Sequence, residues 1–326
     1  MKKIGIVGFR GYSGAELVQL LSRHGGVEVF LMEHREEPIA AKGQTTISAT
    51  ADAVAAASLD GIFLATPPEV SMELAPGYLA AGAKIVDLSG AFRLGTVESY
   101  QRWYKEEHTQ PELLAEAAYV LPELNREDAA GKRLISNPGC YPTAASLALA
   151  PLVDVIDRQA GVVCDAKSGV SGAGRKASLA THFCEVTENF SAYSLLYHRH
   201  VAEVLQNTGL REAEFSFAAQ LIPVHRGILE TIYFRASEVK SAAEIVGMYE
   251  TRYADEPFVR IYEPGKVPDL RAVARTNFCD IGVVFDGRTK RGIVVTAIDN
   301  LVKGAAGQAI QNMNLILGFP ETQGLL

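Results

Sequence analysis

Apolar residues open the chain as a short continuous run, Lys3 to Val7, and then change period. Ala15-Glu16-Leu17-Val18-Gln19-Leu20-Leu21 repeats its apolar positions at helical spacing. Val27 to Met32 reads as a second strand. Gly61 to Ala65 reads as a buried strand stopped by Thr66-Pro67-Pro68, followed by a helix from about Glu69 to Ala81 and a strand from Lys84 to Leu88. Arg133-Leu134-Ile135 predicts a short strand and Thr143 to Ala150 a helix, with Pro142 suited to a first helical position. Strands alternating with helices predict a doubly wound α/β sheet of Rossmann type.

Past residue 140 the pattern turns β-rich. Gly161 to Ala166, Phe215 to Ile222, Ile228 to Phe234, Asn277 to Phe285 and Ile293 to Ile298 are strand-like, the last two joined by the hairpin connection Asp286 to Gly292. This predicts an α+β substrate domain with a mostly antiparallel sheet. Asp299 to about Leu317 reads as one long helix whose Gly/Ala face permits close approach of another backbone. The expected division is 1–139 with 300–326 as a dinucleotide-binding domain, the last helix returning near the nicotinamide, and 140–299 as a catalytic and oligomerisation domain.

The 326 residues are enough for about two domains, and a hydrophobic fraction of 48% with 21% charged residues is that of a soluble globular protein. A net charge of −7 without a basic block argues against nucleic-acid binding. Four scattered cysteines form neither a disulfide framework nor zinc-ligand spacing, so no metal and a reducing cytoplasm are expected. The opening apolar run is too short for a signal peptide, and no stretch approaches a membrane span.

Gly8-Phe9-Arg10-Gly11-Tyr12-Ser13-Gly14 stands between the first strand and the first helix, the geometry of a dinucleotide-binding turn. Gly8 permits the tight turn, Gly11 the approach of a pyrophosphate, and Gly14 close helix packing. The second strand ends in Glu33-His34-Arg35; an acid at this place bonds ribose hydroxyls and an arginine accommodates a 2′-phosphate, so residue types alone leave the choice open. Leu88-Ser89-Gly90 falls at the carboxyl end of a strand, where such sheets bind ligands, with Arg93 just beyond as an anion clamp or a surface charge.

Ser136-Asn137-Pro138-Gly139-Cys140-Tyr141-Pro142-Thr143 sets a cysteine at a helix mouth, where unpaired N–H groups and the macrodipole favour a thiolate. Cys140 is therefore the candidate nucleophile; Cys164 and Cys279 lie in strand-like runs and read as core. Lys167-Ser168-Gly169-Val170-Ser171-Gly172-Ala173-Gly174-Arg175 reads as a loop forming a backbone anion nest, with Lys167 and Arg175 alongside. A thiolate also needs a partner that moves protons. Of seven histidines, His198 and His200 cluster with Arg199 and Glu203; spacing leaves the base open, with His200 favoured because Glu203 stands where it can orient that ring.

These residues resemble the N-acetyl-gamma-glutamyl-phosphate reductases of arginine biosynthesis. The resemblance runs through the glycine turn, Asp87-Leu88-Ser89 with Phe92-Arg93-Leu94, Leu121 to Arg126, Asn137 to Thr143, Ser168 to Arg175, His198-Arg199-His200, Asn277 to Asp280 and Asp299 to Gln308. Related aspartate-semialdehyde dehydrogenases share the cysteine but usually follow it with a small hydroxyl residue. The resemblance implies a semialdehyde-dehydrogenase-like fold, a catalytic Cys140, a base in the His198–His200 segment, NADPH as cofactor and a homotetramer or homodimer. Cofactor candidates are Gly8, Arg10, Gly11, Tyr12, Ser13, Gly14, Arg35, Ser171, Gly172 and Asn300; substrate candidates are Arg93, Asn137, Ser168 and Gly169. Two features depart from the family pattern, Glu33-His34 before Arg35 and His225, which competes with His198 and His200 as base. The alternatives are a reductase of aspartyl phosphate or of a carrier-linked glutamyl or aminoadipyl phosphate, and a dinucleotide-sensing regulator without catalysis.

Overall fold

A computed structural model describes residues 1–33 and 45–326. Arg35, the expected partner of a 2′-phosphate, lies outside the described residues. The chain parts into two compact units, Met1–Gly139 with Ala305–Leu326, and Cys140–Gly304.

The first unit is built on strands β1 (Lys2–Val7), β2 (Val27–Glu33), β3 (Thr45–Ser48), β4 (Gly61–Leu64), β5 (Lys84–Asp87), β6 (Ala118–Tyr119) and β7 (Leu134–Ser136). They form one sheet in the order β3-β2-β1-β4-β5-β7-β6, parallel at every pairing. All four residues of β4 are buried, as expected where helices cover both faces of a parallel sheet. The first helix begins at Tyr12, three residues before the apolar repeat. Gly14 permits this, since a Cβ there would run into the Gly8 carbonyl and lie 2.6 Å from Phe9 Cα.

The second unit carries β8 (Val162–Gly169), β9 (Ser191–Tyr193), β10 (Phe215–Ile222), β11 (Ile228–Arg235), β12 (Val259–Ile261), β13 (Cys279–Asp286) and β14 (Arg291–Ile298), in the order β12-β13-β14-β11-β8-β10-β9. Four of its six pairings are antiparallel; β8–β10 and β12–β13 are parallel. Strand alternation is clear in β8, where Val162, Cys164, Ala166 and Ser168 point inward and Val163 is exposed. The helix Cys140–Leu149 packs on β11 and β14 of this sheet and is buried from Tyr141 to Leu149.

Three local expectations change. The helix after the cysteine begins at Cys140 itself, with Pro142 inside its first turn, where a backbone N–H has no intrahelical acceptor to lose. The strand expected to end at Ala166 continues through Gly169, so Ser168 and Gly169 belong to a packed element, followed by a 3₁₀ turn at Val170–Ala173. The final helix is not continuous from Asp299: a π-helical turn, Val302–Ala306, precedes the α-helix Gly307–Leu317.

Candidate active site

In the first unit, Gly8 has φ +80°, and a Cβ on it would strike the Ala65 carbonyl, so only glycine fits the turn. A Cβ on Gly11 would meet nothing closer than the Gly8 carbonyl at 3.4 Å, leaving space beside the N-terminus of the helix Tyr12–Leu21. This cradle of close backbone and open approach fits a dinucleotide pyrophosphate. Arg10 makes an ion pair with Glu33 at the end of β2. The acid that ends β2 therefore already has a cation beside it. Tyr12 is exposed and Ser13 half-buried at the start of the same helix.

Arg93 is not a surface charge. It is buried, its Nε donating to the Asn137 carbonyl at 2.9 Å and its Nη2 to the Leu88 carbonyl at 2.8 Å. Asn137 is equally committed: Nδ2 donates to the Ala305 carbonyl at 3.3 Å, and Oδ1 accepts from Asn312 Nδ2 at 3.0 Å. Both residues brace the loop that leads from β7 toward the cysteine.

In the second unit, Cys140 is half-buried on the first turn of its helix. A Cβ on Gly304 would come within 2.7 Å of Cys140 Cβ, so the closing turn of this unit lies directly against Cys140. Tyr141, the next residue, turns inward. Its hydroxyl meets the Tyr193 hydroxyl at 2.9 Å, and its ring packs edge-on against His198, His200 and Phe217. Burial pushes both phenols up, and charge on Cys140 pushes each further, so both remain protonated donors beside the thiol.

The two histidines differ. The His200 backbone N–H donates to His198 Nδ1 at 3.2 Å, which places the His198 ring hydrogen on Nε2. Burial, reinforced by the Arg199 charge, lowers the His198 pKa to about 4, so this ring is neutral at physiological pH. His200 Nε2 lies 3.9 Å from Glu203 Oε1, and the Glu203 side chain is fully buried. His225 lies in the exposed turn after β10, and its carbonyl accepts the Ser171 N–H at 3.0 Å.

The glycine-serine segment is not the expected backbone nest. The N–H groups of Gly169, Val170 and Ser171 are spent on the carbonyls of Gly227, Val224 and His225. Lys167 does not point along the segment either; its Nζ lies 2.6 Å from Asp165 Oδ2. Ser168 and Ser171 are buried, whereas Gly172 and Arg175 are exposed. Asn300 braces the segment, Nδ2 donating to Ser171 Oγ at 3.0 Å and Oδ1 accepting the Gly227 N–H at 2.7 Å. The turn between β10 and β11 and the Asn300 side chain made these commitments, and a linear pattern does not display them. Sequence reasoning also missed Tyr141, Tyr193 and Gly304. Tyr141 had a signal in its adjacency to Cys140; Tyr193 had none.

A thiol on a helix first turn, two imidazoles, a buried carboxylate and two protonated phenols, in a chain that also holds a dinucleotide turn, suit covalent capture of an activated acyl group and its reduction. Comparison with known proteins defines the class. Residues 3–132 match the family model "Semialdehyde dehydrogenase, NAD binding domain", and residues 140–300 match "Semialdehyde dehydrogenase, dimerisation domain". Among solved structures, aspartate semialdehyde dehydrogenase II from Vibrio cholerae aligns with TM-score 0.72 at 17% identity, covering 98% of each chain. The Candida albicans enzyme with NADP aligns at 0.68 and 17%, again covering 98% of each. These likenesses give the fold.

Closer relatives give the family. N-acetyl-gamma-glutamyl-phosphate reductase from Symbiobacterium thermophilum is 45% identical, covering 99% of this chain and 97% of its own. The enzyme of that name from Desulforudis audaxviator is 47% identical, covering 100% and 98%. The chain belongs to the N-acetyl-gamma-glutamyl-phosphate reductase family.

Proposed function

We propose that this protein reduces N-acetyl-γ-glutamyl phosphate to N-acetylglutamate 5-semialdehyde and phosphate, with NADPH as reductant and a thioester on Cys140. The observation that carries the reading is the enclosure of Cys140, Tyr141, Tyr193, His198 and His200 within one unit. The Cys140 thiolate attacks the acyl carbon, and the C–O bond to phosphate breaks as the thioester forms. One phenolic hydrogen is spent between Tyr141 and Tyr193; the other, with the Nε2–H of His198, supplies neutral hydrogen-bond donors on this side of the unit. NADPH, when bound, supplies the hydride that takes the acyl group to the aldehyde level. His200, oriented by Glu203, gives and takes the proton as the carbon–sulfur bond is made and broken.

The glycine turn with Arg10, Tyr12 and Ser13 holds the pyrophosphate side of the cofactor, and Arg35 its 2′-phosphate. The Arg10–Glu33 pair favours NADPH, because an unpaired carboxylate at that place would repel the 2′-phosphate. Ser171 and Gly172 serve the cofactor with Asn300 behind them; Ser168, Gly169, Arg93 and Asn137 shape the substrate side. Residues 1–139 with 300–326 are the dinucleotide domain and 140–299 the catalytic and oligomerisation domain. Leu179, Phe183 and Tyr197, each more than three-quarters exposed, together with Val163, Tyr233 and Val284 on the outer sheet face, form the surface buried when two or four copies associate. Among the described residues no helix is long and apolar enough to cross a membrane, and we assign the protein to the cytoplasm.

The test is turnover of purified protein with NADP and phosphate, offering N-acetylglutamate semialdehyde, its unacetylated form and aspartate semialdehyde. The first should dominate by specificity constant. Equal constants for the acetylated and unacetylated aldehydes would remove the substrate assignment. Arg35→Ala should shift the NADPH/NADH preference by about 1.5–3 kcal/mol; an unchanged ratio makes Arg35 a surface charge.

A further inference from the structure

We propose that Thr66 positions the cofactor, its side-chain oxygen held as a hydrogen-bond acceptor for an O–H or N–H donor on the nicotinamide-riboside half of the dinucleotide. This rests on the NADPH reading above. Thr66 stands two residues beyond the carboxyl end of β4. In the order β3-β2-β1-β4-β5, the chain leaves β1 toward one edge and resumes at β4 on its other side, so the crevice between the carboxyl ends of β1 and β4 is the topological switch point where such sheets take ligands. The Ala65 N–H donates to the Val7 carbonyl at 3.0 Å and Ala65 lies against Gly8, so Thr66 follows directly on the residue that packs on the glycine turn, and it remains half-buried.

A relay behind Thr66 decides which way its hydroxyl points. Asp87, fully buried at the end of β5, accepts Ser71 Oγ–H on Oδ1 at 2.7 Å. Oδ1 also accepts the Ser89 N–H at 3.2 Å, and Oδ2 accepts Ser89 Oγ–H at 2.7 Å. Serine owns one hydroxyl hydrogen, and Ser71 has given it to Asp87. The 2.8 Å contact between Thr66 Oγ1 and Ser71 Oγ is therefore made by the threonine hydrogen. Thr66 Oγ1 keeps both lone pairs as acceptors, and no second hydrogen bond reaches it among the described residues. An acceptor at the mouth of the switch point selects a donor, which on this half of the cofactor is a ribose hydroxyl or the carboxamide NH₂.

Calorimetric titration of NADP and of 2′-phospho-ADP-ribose, which lacks the nicotinamide, into wild type, Thr66→Val and Thr66→Ser tests the assignment. Thr66→Val keeps the shape and removes the acceptor; it should weaken NADP about five- to tenfold, and Thr66→Ser should restore affinity to within about twofold. KM for the cofactor should rise in Thr66→Val more than kcat falls, a split that loosened packing does not produce. Equal weakening of 2′-phospho-ADP-ribose identifies the ribose hydroxyl as donor; unchanged binding of that probe identifies the carboxamide. NADP affinity in Thr66→Val within twofold of wild type overturns the proposal while leaving the NADPH reading intact. Wild type that binds no NADP at all overturns both.

Discussion

Tyr141 and Tyr193 meet hydroxyl to hydroxyl at 2.9 Å across 52 residues of sequence. The bond ties edge strand β9, on the largely exposed segment 172–197, to the residue that follows Cys140. Tyr193→Phe leaves the Tyr141 hydroxyl with the Ser168 side chain and the Gln220 carbonyl, the latter at 3.5 Å. Losing a part-buried hydrogen bond of this kind costs about 0.5–1.5 kcal/mol, so turnover should fall and limited proteolysis within 172–197 should quicken. Wild-type kcat together with wild-type cleavage rates would show that the pair neither holds the segment nor serves the site.

Cys140→Ser should retain NADP binding while turnover falls by at least about a thousandfold, as when a covalent step is lost. Iodoacetamide labelling of active enzyme followed by peptide mapping gives the second check. Inactivation should track Cys140; the exposed Cys184 should label without loss of activity.

Gly304→Ala places a methyl within 2.7 Å of Cys140 Cβ and 3.2 Å of its Cα. The backbone on both sides must move, and displacement of a nucleophile by about 1 Å costs on the order of a hundredfold in rate. Stability should drop by about 1–3 kcal/mol, typical of overpacking. A variant with wild-type kcat would show that the turn yields without disturbing the thiol.

The pH profile tests the role of His198. His198 protonates only near pH 4, so a kinetic limb between about pH 5 and 8 is not its own and should persist in His198→Gln. His200→Gln should lower kcat by about 10²–10⁴, the usual range for a lost acid–base group. The depressed His198 value also sets a stability trend. The unfolded chain takes up the proton first, so the contribution is present above about pH 6.5 and is lost as pH falls toward 4. Melting temperatures of wild type and His198→Gln should converge on acidification across that window.

Glu230 sits fully buried on the inner face of β11 opposite Thr296, in company with the Cys164 thiol and near the Lys167 ammonium, itself paired with Asp165. Burial pushes its carboxyl well up, and the thiol and ammonium offset this only in part. A raised carboxyl is neutral in the fold where the unfolded chain is already ionised. Stability is therefore complete below the ordinary glutamate range and declines as pH rises toward the folded value. Glu230→Gln should flatten that decline, read as denaturation midpoints at pH 5 and pH 8. Parallel slopes for both proteins would place the titration elsewhere.

Local chemistry was legible without a structure. Apolar runs of strand length alternating with helical repeats marked the parallel sheet, because a strand buried on both faces must be apolar throughout. The glycine turn showed itself because only glycine tolerates the backbone at Gly8 and the contact at Gly14. Cys140 stood out because Pro138 and Gly139 before it and Pro142 after it mark the mouth of a helix; that the helix is a buried one beginning at Cys140 itself was not legible. What folding alone decided is where donors and protons go. Lone sequence positions do not show that the N–H groups of Gly169 to Ser171 are spent on the Val224–Gly227 turn, or that Arg93 is buried between two carbonyls. Nor do they show that burial lowers the His198 pKa, that Tyr193 closes on Tyr141, or that Asp87 directs the Thr66 hydroxyl through Ser71. Each depends on groups far apart in the chain competing for one hydrogen or one volume in a dry interior, and only the packed tertiary structure brings those competitors together.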